Sequence, residues 1–281
     1  MDDVEWRRWL IDLVTVGATE FDAETTGECV IGSRGRTAGS RVTVAGGGPD
    51  RWLRVVTERL GWGGGPTWIG NMEASAVLGV ARPEVLAVTE WEEAGRQVRT
   101  ELMTLAPGGP LASDIALREH VSLDASWWTA LRRSVDVLAA STTDRVCLDA
   151  DLIRHRLLAA FGVEIATESI VWSTAHGDLH WANITGPICW LLDWEAWGAA
   201  PAGYDAATLY CSSLLQPEIA DQVFTVFGDL LSSSAGAVAH LVAAAKLLGL
   251  VEYGDHPDLA APLHRHARRI LRRHYPESLG E

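Results

Sequence analysis

A chain of 281 residues with 48% apolar and 21% charged residues can build a sizeable core, and its length suits two packed lobes or one large domain. A formal net charge of −14 repels phosphate backbones and anionic lipid, which argues against nucleic acid and membrane as partners, and it would tolerate a cationic ligand. The four cysteines, Cys29, Cys147, Cys189 and Cys211, form no C-x-x-C pair and sit in apolar runs, which reads as buried thiols in a reducing, cytoplasmic compartment.

Val4, Trp6, Trp9, Leu10, Leu13 and Val14 form a helical stripe near the start, with none of the basic-then-apolar order of a signal peptide. Short apolar runs at 29–31, 42–44 and 52–56 then alternate with turns rich in glycine. The first turn spans 32–39, and the second contains Gly46-Gly47-Gly48-Pro49, so a small antiparallel sheet is predicted. A helix over 67–80 follows Pro66, with Trp68, Ile69, Met72, Ala76 and Leu78 as its apolar face. Strands are predicted at 84–91 and 99–105 before Ala106-Pro107-Gly108-Gly109-Pro110 breaks the pattern. A domain boundary is placed there, giving an N-terminal lobe over 1–105 and a C-terminal lobe over 106–281.

The second part is mostly helical, with amphipathic helices at 126–141 and 149–161, strands and loops over 170–197, and helices after Pro201. The apolar run 235–251 contains His240 and Lys246 and is too short for a membrane span, so it reads as a buried helix. The segment 262–274 reads as a basic helix with a solvated face that carries His264 and His266. The predicted fold class is α+β and two-lobed: a small antiparallel-sheet lobe with one helix, and a larger, mainly helical lobe. Two such lobes make a cleft for a ligand.

The densest chemistry lies in His176-Gly177-Asp178-Leu179-His180-Trp181-Ala182-Asn183, followed by Trp190-Leu191-Leu192-Asp193-Trp194-Glu195. The first run has the H-x-D-x-x-x-x-N spacing of a phosphoryl-transfer loop, and the second ends an apolar strand in an aspartate. Phosphoryl transfer needs a carboxylate that orients the attacking hydroxyl, which Asp178 supplies, and oxygen donors for Mg²⁺, which Asn183 and Asp193 supply. His176 reads as a prop for the loop and Asp205 as an anchor for its backbone. Glu195 is either an acid near the metal or a solvated strand end. Trp181, Trp190, Trp194 and Trp197 read as packing. A competing assignment makes His176, Asp178 and His180 zinc ligands of a hydrolase, although no further His or Cys follows at a telling spacing.

Together with Gly203-Tyr204-Asp205-Ala206-Ala207 and Met103-Thr104-Leu105-Ala106-Pro107-Gly108, these stretches resemble the aminoglycoside phosphotransferase/choline kinase family. The resemblance covers residues 28–270 and is strongest in the 176–183 loop. It implies a protein-kinase-like fold, Mg²⁺, ATP or GTP as donor, a small-molecule hydroxyl as acceptor, and a hinge whose backbone near Thr104 and Ala106 holds the base. Where that family offers a third-strand lysine to the phosphates, this chain has Arg54, with Glu73 as its candidate helix partner. A planar guanidinium does not replace a lysine conservatively, so the alternative is a nucleotide-binding pseudokinase with weak or no turnover. A protein kinase is disfavoured. Seven residues separate Asp193 from Pro201, too few for a long regulatory loop, and Gly177 stands where an arginine would receive a phosphorylated one. The acceptor's identity, the choice between ATP and GTP, and the oligomeric state stay open.

Overall fold

Alternating side chains along two nine-residue strands, β4 (Arg51–Arg59) and β6 (Arg96–Thr104), organise the first part of the protein. The computed structural model describes residues 2–32, 35–166, 168 and 170–279. It divides the chain into two units, one formed by 1–75 with 82–107 and the other by 76–81 with 108–281. In the first unit the sheet order is β1 (Ala23–Thr25), β3 (Thr37–Val44), β4, β6, β5 (Val85–Glu93), with β2 (Val30–Ile31) also on β3 and every pairing antiparallel. Leu53 and Val55 of β4 and Val98 and Leu102 of β6 join Leu10, Leu13, Val14 and Ala18 of α1 (Asp3–Thr19) in one apolar core. A Cβ at Gly17 would meet Thr100 Cγ2 at 2.7 Å, so α1 lies directly on the sheet.

A capping box between Asp2 and Glu5 starts α1. The other set of alternate positions, Arg54, Arg99 and Glu101, is polar and meets α2 (Pro66–Glu73) through Asn71, which donates to Glu101, while Trp68 of α2 donates to Glu90 of β5. Among its described residues, α1 falls on the helical stripe at the start of the sequence and α2 is the helix that packs on the sheet's polar face.

The helix predicted over 67–80 ends at Glu73, passes through a 3₁₀ turn at Ala74–Ala76, and is stopped by Gly79 at φ +85°. Residues 76–81 belong to the second unit, where the Ala81 carbonyl accepts from the Leu191 N–H at 2.9 Å. The main break falls after Pro107, against the boundary expected after residue 105. Ser33 and Arg34 of the first glycine-rich turn lie outside the described residues.

The second unit gathers α3 (Ala125–Ala140), α4 (Ala150–Phe161), α5 (Tyr204–Ser212), α6 (Pro217–Leu231), α7 (Ser234–Glu252) and α8 (Ala260–His274). Two short antiparallel pairs join them: β8 (Trp172–Ala175) with β10 (Gly198–Pro201), and β7 (Gly109–Pro110) with β9 (Thr185–Gly186). Helix α7 is the hub, touching α4, α5, α6 and α8. Its 19 residues are long and apolar enough to suit a membrane span by length and composition, but most of the apolar stretch is buried inside this unit.

Helix α8 is not wholly solvated. Leu263, His266, Ala267 and Leu271 are buried, and His266 Nε2 lies 3.0 Å from His240 Nδ1 on α7, with Tyr210 of α5 packed on both rings. The placement of His266 on the exposed face is thus corrected, while His264 is exposed. All four cysteines are free thiols; Cys189 and Cys211 are buried, and Cys29 and Cys147 are half-buried.

Candidate active site

The loop that follows β8 is fixed by backbone contacts before any catalytic atom is considered. Gly177 has φ +82°, and a Cβ there would lie 2.5 Å from Cys147 Sγ and 2.6 Å from the Ala196 carbonyl oxygen, so glycine is required. Asp205, in the first turn of α5, accepts from the N–H groups of His176 (2.7 Å) and Gly177 (3.0 Å). Burial pushes its carboxyl upward, offset in part by His176 and these two N–H donors. The His176 ring is fully buried. Its Nδ1 accepts from the Asp178 N–H at 3.4 Å, and its Nε2 lies 2.9 Å from the Leu192 carbonyl, which suits a neutral ring that donates from Nε2. Burial lowers its pKa despite the nearby carboxylates of Asp205, Asp178 and Asp193.

His176 is therefore a prop, as expected. With both ring nitrogens engaged by backbone, it is not a zinc ligand beside Asp178 and His180. Among the described residues, the His/Cys/acid cluster with donor atoms close enough to share an ion is Cys211, His240 and His266, away from this loop.

Asp178 is the focus of the loop. Lys246 Nζ, from α7, donates to its Oδ1 at 2.6 Å and to the Gly177 carbonyl at 3.2 Å. Its Oδ2 lies 3.3 Å from both His180 Nε2 and Asn183 Nδ2. Burial pulls the Asp178 carboxyl upward, but the Lys246 ammonium and then His180 outweigh it and hold the group well below the usual carboxylate range. Burial also works against the charge on Lys246, and Asp178 reverses this, so the ammonium stays protonated. The side chains of Asp178 and Lys246 remain 29% and 21% exposed, so solvent reaches the pair.

Asn183 closes a short 3₁₀ turn, Trp181–Asn183, and its amide nitrogen donates to the Asp178 carbonyl at 3.0 Å. That nitrogen being committed to Asp178, the carboxamide oxygen is the group Asn183 has for a cation. The Leu192 N–H donates to the Asn183 carbonyl at 2.8 Å, which places Asp193 one residue beyond this pairing. The strand expected before Asp193 reduces to a single bridge, Ile184 to Leu191, because its partner is loop rather than sheet.

Asp193 has φ +57°, an uncommon backbone state for a residue with a Cβ and one that recurs at functional positions. Beyond it, Arg145 clasps the turn by donating to the carbonyls of Trp197 (2.9 Å) and Glu195 (3.0 Å) while its guanidinium lies 4.8 Å from the Trp197 ring. Trp181, Trp194 and Trp197 are buried packing, and Trp190 is half-buried. Glu195 is buried, which removes its reading as a solvated strand end.

The remaining expected residues lie in the first unit. Arg54 sits directly opposite Glu101 in the β4–β6 register, with Nη1 at 3.3 Å from Oε2. Fully buried Glu101 also accepts from Asn71 Nδ2 (2.8 Å) and Arg99 Nε (2.9 Å). Glu73 ends α2 and is half-buried. Thr104 ends β6; its N–H donates to the Glu84 carbonyl (2.9 Å) and its hydroxyl accepts from the Glu84 N–H (2.8 Å). Ala106 follows in the strap. Sequence reasoning thus brings Asp178, Asn183 and Asp193 to one loop system but misses two residues. Lys246 is hidden in an apolar run, and Glu101 is assigned only by strand register.

No protein-family model matches the sequence, and no curated protein matches it either. Solved structures do match. The crystal structure of aminoglycoside phosphotransferase APH(4)-Ia superposes with a TM-score of 0.59 at 15% identity, covering 96% of this chain and 99% of that one. The chain has the aminoglycoside phosphotransferase fold. A thermostable mutant of that enzyme, in ternary complex with ADP and hygromycin B, gives 0.60 at 14% identity over 93% and 98% of the two chains. The microcompartment-associated aminopropanol kinase gives 0.58 at 14% identity over 92% and 94%. The aminoglycoside phosphotransferase fold is α+β and protein-kinase-like, as the motifs imply, and the match extends over nearly the whole chain although few residues are shared.

Proposed function

We propose that this protein transfers the γ-phosphoryl group of ATP or GTP to a hydroxyl of a small polar molecule. The observation that carries the reading is an ionised, partly exposed Asp178 carboxylate in a loop locked by Asp205 and His176, with Asn183 and Asp193 beside it. The acceptor oxygen attacks the γ-phosphorus, and the bond from that phosphorus to the β,γ-bridging oxygen breaks. The bonding pair leaves with the nucleoside diphosphate, and the hydroxyl proton passes to Asp178. A carboxylate held this low is a weak base, so Asp178 orients the hydroxyl first and takes its proton late, as the new P–O bond forms.

The donor set at Asn183 and Asp193, a carboxamide oxygen and a carboxylate, is hard and fits Mg²⁺, and the commitment of the Asn183 nitrogen to Asp178 supports that fit. Mg²⁺ bound there would neutralise charge on the phosphates. Arg54 with Glu73 serves the phosphates. The Thr104 carbonyl and the Ala106 N–H serve the base, since the Thr104 N–H is spent on Glu84. The ADP in the APH(4)-Ia complex supports an adenine nucleotide. Free thiols suit a reducing cytoplasm.

A pseudokinase is the second reading, favoured by the hold that Glu101 has on Arg54 within the sheet. Thermal-shift titrations with MgATP and MgGTP, paired with nucleotide consumption over hydroxylated metabolites and aminoglycosides, separate the two. A stabilisation of several degrees together with acceptor-dependent consumption supports the enzyme. No shift with any nucleotide sinks it.

A further inference from the structure

Of the 23 lysines and arginines in this chain all but one are arginine, and that one, Lys246, holds the carboxylate assigned to the acceptor hydroxyl. Lys246 stands on α7 among buried Ala243, Ala244, Ala245 and Leu247, so its ammonium leaves an apolar helix face and needs a partner. It has two, Asp178 Oδ1 at 2.6 Å and the Gly177 carbonyl at 3.2 Å. The other ionisable side chains close to the ammonium include Cys147 and Tyr204, and burial keeps both in their neutral forms. A compact ammonium on a flexible stem can reach one carboxylate oxygen and one carbonyl from inside a packed helix, whereas a planar guanidinium would need a wider slot.

We propose that Lys246 is the positioning residue of Asp178 and that, by supplying the counter-charge of this carboxylate from within the protein, it restricts the acceptor to neutral or anionic alcohols. The proposal rests on reading Asp178 as the group that engages the hydroxyl. Its first half follows from geometry. Lys246 holds one Asp178 oxygen at 2.6 Å, whereas His180 and Asn183 contact the other at 3.3 Å, so the second oxygen is the one more easily given up to an acceptor. Its second half follows from charge. An ammonium-bearing acceptor would set a second cation beside Lys246 at a carboxylate that is already neutralised, gaining no counter-ion from Asp178 and meeting like charge. A neutral alcohol meets no such repulsion, and an anionic one gains Lys246 as a partner. The acids behind the net charge of −14 are spread along the whole sequence, and those on the surface beyond a Debye length are screened, so the total does not reverse this local order.

The test uses the full chain and MgATP, with water and three matched two-carbon alcohols as acceptors: ethylene glycol, glycolate and ethanolamine. K246M is expected to lower kcat for ATP consumption at least tenfold while leaving KM for MgATP within about twofold. K246A is expected to show the same loss and to regain activity with millimolar ethylammonium but not with acetamide. Thermal melts confirm that each variant is folded, and if K246A fails to fold, K246M carries the kinetic comparison alone. In the wild type, phosphoryl capture by ethylene glycol or glycolate exceeds capture by ethanolamine. Wild-type kcat in folded K246M overturns the positioning role, and ethanolamine captured at or above the rate of ethylene glycol overturns the acceptor class. Asp178→Asn is run alongside. Full activity in that variant sinks the underlying reading of Asp178, an outcome distinct from failure at Lys246.

Discussion

At Gly177 a single methyl group has nowhere to go. Cys147 Sγ and the Ala196 carbonyl would both lie within 2.6 Å of it, and φ +82° strains any residue with a Cβ. Gly177→Ala is expected to cost ~2–4 kcal/mol in urea unfolding and to displace the Asp178 loop. An unchanged midpoint would show that the loop can shift. At this scale the sequence is most legible where chemistry imposes a short spacing: Asp178 and Asn183 stand five apart in one loop, and the structure keeps them in contact. Lys246 is illegible because 68 residues separate it from Asp178, and its apolar neighbours announce only a core helix. Glu101 is illegible for another reason. It pairs with Arg54 because two strands align in one register, and a shift of one residue would turn its side chain to the opposite face.

Among the elements, the first turn of α5 does the most for the site. Through it Asp205 satisfies two buried N–H groups of the loop, and removing the carboxylate leaves both without a partner. Asp205→Ala is expected to lose ~2–5 kcal/mol of stability and most of the turnover, and Asp205→Asn less of each, since one oxygen still accepts. Denaturant melts and ADP release measured on the same samples check both parts; a stable, active alanine variant would remove the anchor from the account. Helices with a strong stripe, such as α3 and α4, were legible to within a residue or two of their ends. The helix over 67–80 was not, because Gly79 and the 3₁₀ turn cut it short after its eighth residue. The strand before Asp193 shrinks to one bridge because a strand needs a partner, and local pattern does not reveal that Ile184 lies in a loop.

For the molecule as a whole, the change of composition at 106–110 marks where one unit gives way to the other, but nothing in residues 76–81 marks their transfer to the second. Buried chemistry across helices gives a molecule-wide prediction. Burial, then the repulsion of neighbouring cations, lowers His240 from 6.5 to about 3 and His266 to about 4. The unfolded chain therefore takes up protons below about pH 6.5 that the folded chain refuses until about pH 4. Stability from this pair is complete above the unfolded value and falls as pH drops, by up to ~1.4 kcal/mol per pH unit for each histidine. Urea melts between pH 7 and 4.5 are expected to show this slope and to show a shallower one in His240→Met/His266→Met. Equal slopes would place the acid sensitivity elsewhere.

The claim on which the rest depends is that one carboxylate, Asp178, directs the phosphoryl group to a hydroxyl. Side-by-side measurement of ADP release from MgATP and of MgATP-induced thermal stabilisation, in the wild type and in Asp178→Asn, addresses it most directly. Release in the variant is predicted to fall by about a hundredfold or more while stabilisation by nucleotide is retained. Release at the wild-type rate with the carboxylate gone would contradict it.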